Sequence, residues 1–150
     1  MAQYAPSGRL KAYQQASHTV AKTRQVVMLY DGAIRFLNQA KEAMESGGIQ
    51  GIETRYQKLT RVCEIISGLQ SCLDFEAGQD AAKVLHSFYS SIEMRIFNLH
   101  HTPDPAACAV IIAELKEMRD VWDVIDRGKE AAAQAGGGSH SATDTIVVSA

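Results

Sequence analysis

The chain has 150 residues, about the length of one domain, and its 46% hydrophobic content fits an ordinary globular core. Its formal net charge of -2 argues against broad electrostatic attachment to nucleic acid or to an anionic membrane surface. No stretch approaches the roughly 18 uncharged apolar residues of a membrane span, and the N-terminus lacks the apolar run of a signal peptide. We therefore expect a cytoplasmic protein with no membrane insertion.

Four segments carry apolar residues at the three- and four-residue steps of a helix. The spacing predicts helices over residues 19–44, 50–73, 80–101 and from 105 to near 128. The predicted inward stripes, helix by helix, are Val26, Leu29, Tyr30, Ala33, Phe36, Leu37, Ala40 and Met44; Ile52, Tyr56, Leu59, Cys63, Ile66, Leu69 and Leu73; Leu85, Phe88, Ile92, Ile96 and Leu99; and Cys108, Ile111, Leu115, Met118, Trp122 and Ile125.

The breaks between these segments are short. Gly47 and the glycine after it stop the first helix, and Gly78 interrupts the period before Asp80, a residue suited to the N-cap of the third. Asp104 caps the fourth helix and Pro105 takes its first position. Short connections predict an all-α, antiparallel up-and-down four-helix bundle over residues 19–130. Residues 1–18 are predicted to be a mobile N-terminal segment and residues 131–150 a disordered tail.

Gly32 lies in the middle of the first predicted helix. Glycine there costs roughly 1 kcal/mol against alanine. Its presence predicts that another backbone approaches closely at this point.

Each helix carries more apolar surface than one inward stripe requires. On a wheel of about 100° per residue, the surplus residues are Val27, Ile34, Ile65, Cys72, Phe97, Val110, Val121 and Val124. They could line grooves for a partner chain; alternatively, they are scattered exposed aliphatics or are partly covered by the tails. Leu10 and Tyr13, in the N-terminal segment, could cap such a groove weakly and reversibly, or belong to a frayed terminus.

Residues that would carry catalysis or bind a metal form no recognisable set. The five histidines are scattered, and the adjacent His100 and His101 point about 100° apart on a helix. The three cysteines form no CxxC pair and are interpreted as small buried hydrophobes. We expect no enzyme activity, no cofactor and no metal. A histidine phosphotransfer domain is the competing class of helical bundle; His86 would be its phosphorylated residue, but Ser87 and the residues after it do not match.

Three motifs appear in order along the chain: MLYDGAIRFL at residues 28–37, LDFEAG at 73–78 and LKEMRDVW at 115–122. In this order and spacing they resemble the flagellin-specific export chaperones, the FliS family, over about residues 13–125. The residues at 19–22 lack the proline with which that family commonly starts its first helix.

The resemblance implies a chaperone that binds the disordered C-terminal segment of flagellin and prevents premature polymerisation. It also implies delivery of the subunit to a component of the flagellar type III export gate, and an N-terminal segment that covers one groove in the free protein. The predicted binding residues, in groove and cap, are Leu10, Tyr13, Val27, Tyr30, Ile34, Ile65, Tyr89, Phe97 and Val121. We expect a monomer or weak homodimer. The alternative is a helical adaptor for a different secretion or regulatory client.

Overall fold

A computed structural model describes the backbone of residues 8–148 and the side chains of residues 22–136. The helices are α1 (Gly8–Ser46), α2 (Gly48–Ser71), α3 (Phe75–His101) and α4 (Pro105–Val148). Residues 8–148 include no β-strand. The predicted all-α, four-helix architecture is confirmed.

The outer helices are longer than the apolar pattern predicts. α1 begins at Gly8 and not at Thr19, and α4 ends at Val148 and not near Gly128. Residues 9–17 contain two alanines, two glutamines, one leucine, one lysine and one arginine, and residues 131–135 contain four alanines, all of which favour helix without an apolar stripe. Over these two stretches the periodicity ends earlier than the helix because it reports burial, whereas helix formation also depends on intrinsic propensity. Propensity does not account for α4 beyond residue 135, where three glycines follow.

The end of α1 and the start of α4 follow the predicted chemistry. Gly47 and Gly48 have φ values of 68° and 74°, a left-handed conformation that glycine adopts without strain, and they end α1. At the start of α4, the Asp104 Oδ1 atom accepts a hydrogen bond of 3.0 Å from the backbone N–H of Ala107. The predicted stop at Gly47 and the Asp104 cap are both confirmed.

The start of α3 differs from the prediction. Asp74, and not Asp80, is the N-cap: its Oδ1 accepts hydrogen bonds from the N–H groups of Glu76 and Ala77 at 3.0 and 3.1 Å. One helical turn follows, and then Gln79 adopts φ 43° and ψ -118°, which kinks the helix. Gly78 marked the interruption in the sequence, but the strained conformation falls on the next residue.

Replacing Gln79 with glycine is expected to raise the free energy of unfolding by about 1 kcal/mol. A left-handed φ costs a non-glycine residue about 1–3 kcal/mol, and glycine removes that strain at the cost of some unfolded-state entropy. Urea unfolding followed by circular dichroism measures the change. The matched control is Gln57→Gly on α2, an exposed helical position where glycine should cost about 1 kcal/mol. A loss of stability in both variants would mean that Gln79 carries no strain.

By its internal contacts the chain divides into two compact units. The central unit comprises residues 28–119, and the terminal unit combines residues 1–27 with 120–150. Within the central unit, Arg55 near the start of α2 bonds to the carbonyl of His100 near the end of α3, and Gln70 near the end of α2 bonds to Ser90. The Cys108 thiol near the start of α4 faces the carbonyl of Leu37 on α1. These pairs join helices that run antiparallel.

The core of the central unit uses most of the predicted stripes. Its fully buried large side chains are Tyr30, Leu37, Leu59, Val62, Ile66, Tyr89, Ile92, Ile96, Cys108, Ile111 and Leu115. Four predicted core residues are exposed instead: Leu29 at 37%, Ile125 of the terminal unit at 40%, and Ile52 and Tyr56 of α2 at 56% and 64%. In that turn of α2 the half-buried Arg55 takes the inward position, because its guanidinium donates to the end of α3.

In the terminal unit, polar pairs join α1 to α4. The hydroxyl of Thr23 donates to Asp126 at 2.9 Å in a buried contact, and Arg24 pairs with Glu130 at 2.9 Å on the surface. A buried carboxylate needs such a donor to compensate for lost hydration. The pair therefore fixes the register of the two helices there.

Candidate functional site

The predicted binding residues fall into three groups. The side chains of Leu10 and Tyr13 lie outside the described residues. Ile34 and Ile65 are half-buried, whereas Phe97 and Val121 are 61% and 54% exposed. The last four are accessible to a partner, and their role in binding stays a prediction.

Val27, Tyr30 and Tyr89 are buried, at 7%, 0% and 1% exposure, so the prediction that they line an open groove is wrong. The hydroxyls of Tyr30 and Tyr89 form a hydrogen bond of 2.8 Å, and their ring centroids lie 6.4 Å apart. Burial raises the pKa of Tyr89, opposed by the hydrogen bond to Tyr30. The two tyrosines join α1 to α3 across the core, and a side chain in that position cannot be offered to a client.

One accessible surface lies between α1 and α2. We call it the α1–α2 groove, defined by Leu29, Gly32, Phe36, Lys58 and Ile65. A Cβ atom on Gly32 would lie 3.5 Å from the Ile65 Cδ1 atom, an ordinary van der Waals distance. The predicted close backbone approach at Gly32 is therefore wrong, because a side chain and not a main chain faces this glycine.

The close backbone approach occurs at Gly51 instead. A Cβ atom there would lie 2.7 Å from the carbonyl oxygen of Ala43 on α1. In the sequence, Gly51 follows Gly47 and Gly48 so closely that it cannot be distinguished from a glycine of the turn. Only the packing of α2 against α1 shows that Gly51 is a contact residue.

A second accessible surface is the aromatic cluster where α2 begins and α3 ends. The rings of Tyr56 and His100 lie 5.3 Å apart, and those of Phe97 and His101 lie 4.6 Å apart. Burial lowers the pKa of His100, and the nearby Arg55 and His101 lower it further. His100 is therefore held in its neutral form, and the cluster presents a largely apolar face.

A third surface is the groove between the end of α3 and the start of α4, with a volume of about 360 Å³. Its floor is the buried Leu99 and Ile111, and an ion pair between Arg95 and Glu114 crosses beside it. The lining residues are Arg95, Asn98, Leu99, Thr102, Asp104, Ala107, Val110 and Ile111. Of these, Val110 was one of the surplus apolar residues in the sequence, and it is 52% exposed.

The cysteines occupy three different environments. Cys108 is buried as predicted, Cys63 is half-buried, and Cys72 is exposed, so the interpretation of all three as buried hydrophobes is wrong for Cys72. Burial raises the pKa of the Cys108 thiol to about 11, with Lys41 opposing the shift, and burial also raises the pKa of Cys63. A raised pKa keeps a thiol protonated and unreactive.

Two kinds of feature are absent from the described residues. These residues contain no group of three or more histidine, cysteine, aspartate or glutamate side chains placed to hold a metal ion. Among the helical segments described, none combines the length and apolar character required to cross a membrane.

Comparison with known proteins places these surfaces in context. A family model described as "Flagellar protein FliS" matches residues 7–129. A flagellar secretion chaperone FliS from Vibrio cholerae is 34% identical over 123 residues, which cover 79% of this chain and 88% of the relative. The flagellar secretion chaperone FliSB of Pseudomonas aeruginosa is 28% identical over 121 residues, covering 77% and 94% of the two chains. The Escherichia coli flagellar secretion chaperone FliS is 27% identical over 124 residues, covering 79% and 89%.

Proposed function

The chain belongs to the FliS family of flagellar proteins, and we propose that it is a cytoplasmic export chaperone for flagellin. In this proposal it binds the disordered C-terminal segment of newly made flagellin, keeps the subunit from polymerising in the cytoplasm, and presents it to the flagellar type III export gate. The role requires binding and release, and no chemical step.

The observation that carries the proposal is the number of accessible apolar side chains on a bundle whose core is already filled. In the central unit, Ile49, Tyr56, Met94, Phe97 and Val110 are each more than half exposed. Large apolar residues cost free energy in water unless a partner covers them, at roughly 25 cal/mol per Å². A disordered apolar client is a partner of suitable chemistry.

The physical problem for such a client is that its apolar segment has no partner before assembly. An unpaired apolar segment exposed at cytoplasmic concentrations associates with other copies of itself. Ile34 and Ile65 in the central unit, with the more exposed Phe97, would cover parts of that segment; Val121 would do so on the terminal unit. Because a disordered segment loses entropy when it binds, the complex remains weak enough to release its client.

We further propose that the segment of residues 1–18 covers one surface of the free protein through Leu10 and Tyr13, and that the client displaces it. Leu10 and Tyr13 belong to the first turns of α1, so this cap has to leave the helix in order to dock, and that cost keeps the attachment weak and removable.

The Phe97→Asp variant should lose most of its affinity for flagellin and keep its stability. Phe97 is 61% exposed, so an aspartate there adds a charge to the binding surface without entering the core. Titration of purified flagellin, and of flagellin lacking its C-terminal segment, measures binding; light scattering of a polymerising flagellin solution measures chaperone activity. We expect at least a ~10-fold increase in Kd, equivalent to about 1.4 kcal/mol.

The matched control is Val84→Asp, which alters another exposed aliphatic residue of α3, 65% exposed and outside the predicted set. It should bind flagellin as the wild type does. If the wild type binds neither form of flagellin and does not delay its polymerisation, the proposed function is wrong, and an adaptor for another client becomes the better interpretation.

A further inference from the structure

Two basic side chains converge on one half-buried aromatic ring in the α1–α2 groove. The guanidinium carbon of Arg35 lies 5.3 Å from the centroid of the Phe36 ring, and the ammonium nitrogen of Lys58 lies 5.4 Å from the same centroid. The two cations come from different helices. Each is within the ~6 Å over which the face of an aromatic ring attracts a cation.

Among the side chains that the structure describes, residues 22–136, neither cation has a carboxylate partner. In the described part of the chain, no ion pair or hydrogen bond joins Arg35 or Lys58 to another side chain. Four other basic residues of the central unit pair with an acidic neighbour: Lys41 with Glu45, Arg61 with Glu64, Arg95 with Glu114 and Arg119 with Asp31. Arg55, Lys83 and Lys116 have no such pair among the described residues, but neither do they share an aromatic ring with a second cation there. The ring of Phe36 therefore has two positive charges near it, beside a half-buried apolar surface.

The apolar part of the groove lies directly beside these charges. Gly32 is one helical turn before Phe36 on the same face of α1, and Ile65 is two turns after Lys58 on the same face of α2. The half-buried Ile65 side chain lies over Gly32, with its Cδ1 atom 3.5 Å from the position of a Gly32 Cβ, and provides the apolar part of this surface. Leu29, 37% exposed, lies at its edge.

We propose that this groove binds an acidic-apolar element of the client, in which an aspartate or glutamate side chain lies against Arg35 and Lys58 at the Phe36 ring. An apolar client residue about one helical turn away covers Gly32 and Ile65. The inference rests on the proposed function and adds to it the charge of the client segment and the residues that recognise it. A carboxylate neutralises these cations, whereas a basic or purely apolar segment leaves them without a counter-charge.

Charge reversal tests the proposal. Lys58→Glu and Arg35→Glu should each raise the Kd for the flagellin C-terminal segment at least ~10-fold over the wild-type value at about 0.1 M salt. At about 1 M salt the Kd of each variant should approach the wild-type Kd measured at the same salt concentration. The neutral variant Lys58→Gln should give a smaller increase. Calorimetric titration at both salt concentrations measures these values, and the thermal midpoint of each free variant establishes that it remains folded.

The matched control is Lys83→Glu, which makes the same charge change at an exposed position of α3 outside the groove. It should leave the Kd within about twofold of the wild-type value, because a distant surface charge is screened. A second arm replaces each acidic residue of the client segment in turn with lysine. One of these replacements should restore binding to Lys58→Glu.

The outcomes separate this inference from the proposed function. If the wild type binds flagellin and charge reversal leaves the Kd unchanged, or changes it equally at both salt concentrations, the acidic docking site is wrong and the chaperone role stands. If Lys83→Glu weakens binding as much as Lys58→Glu does, net charge and not this groove determines affinity, and the inference also fails. If the wild type does not bind flagellin at all, both proposals fall together.

Discussion

The Gly51→Ala variant is expected to be less stable than the wild type by about 1–2 kcal/mol, although alanine is the better helix former. The added methyl group would lie 2.7 Å from the carbonyl oxygen of Ala43, closer than carbon and oxygen atoms can pack. That oxygen belongs to the main chain of α1 and accepts a hydrogen bond from Gly47, so it cannot rotate away as a side chain would. The two helices must move apart at their shared turn.

Gly68→Ala, on the same helix, is expected to have the opposite effect on stability. A Cβ atom on Gly68 meets no atom within 4 Å, so alanine there should stabilise the protein by about 0.5–1 kcal/mol. Thermal unfolding of both variants by circular dichroism gives the comparison, with a shift of about 2–4 °C for each kcal/mol in a chain of this size. Equal stabilisation by both substitutions would show that α1 and α2 are not in close contact at Gly51.

The second large effect is expected at the buried tyrosine pair. Tyr30→Phe removes the partner of the Tyr89 hydroxyl, which lies in the core at 2.8 Å from it. A buried hydroxyl left without its hydrogen bond costs about 1–3 kcal/mol, more than the bond itself contributes net of hydration. The variant should therefore unfold at a lower urea concentration, with an unchanged dependence of the free energy on urea because the same surface is exposed.

The double variant Tyr30→Phe/Tyr89→Phe, together with the single variant Tyr89→Phe, completes a double-mutant cycle. With both hydroxyls gone, the Tyr89 hydroxyl is no longer left without its partner, and part of the lost stability should return. The measured quantity is the coupling free energy between the two substitutions, from urea unfolding of all four proteins. Strictly additive losses would mean that the hydroxyl pair is not coupled in the folded protein.

These two expectations concern residues that the sequence pattern assigned only in part. Tyr30 was predicted both in the inward stripe of α1 and among the groove residues, Tyr89 only among the groove residues, and Gly51 drew no prediction at all. Tyr89 is a large amphipathic residue, which suits an interface as well as a core, and the pattern along one helix does not distinguish these two environments. The contact between the hydroxyls joins residues on α1 and α3, and no local signal carries that information.

Gly32 illustrates the same limit. A glycine in the middle of a helix predicts that a neighbour needs the space of the missing side chain. The sequence does not say whether that neighbour is a main chain, a side chain or a bound partner. In the structure the Ile65 Cδ1 atom lies 3.5 Å from the position of a Gly32 Cβ, an ordinary contact distance, and the close main-chain approach lies at Gly51.

By itself, the sequence determined the number of helices, the turn at Gly47, the cap at Asp104 and most of the core, because these depend on local propensity and on the period of apolar residues. Its three ordered motifs also identified the family. The tertiary structure alone decided which apolar edges stay accessible, why Ile52 and Tyr56 face outward, and where two cations share the Phe36 ring. Those features arise where side chains of different helices meet, and a periodic pattern along one helix contains no information about its neighbours.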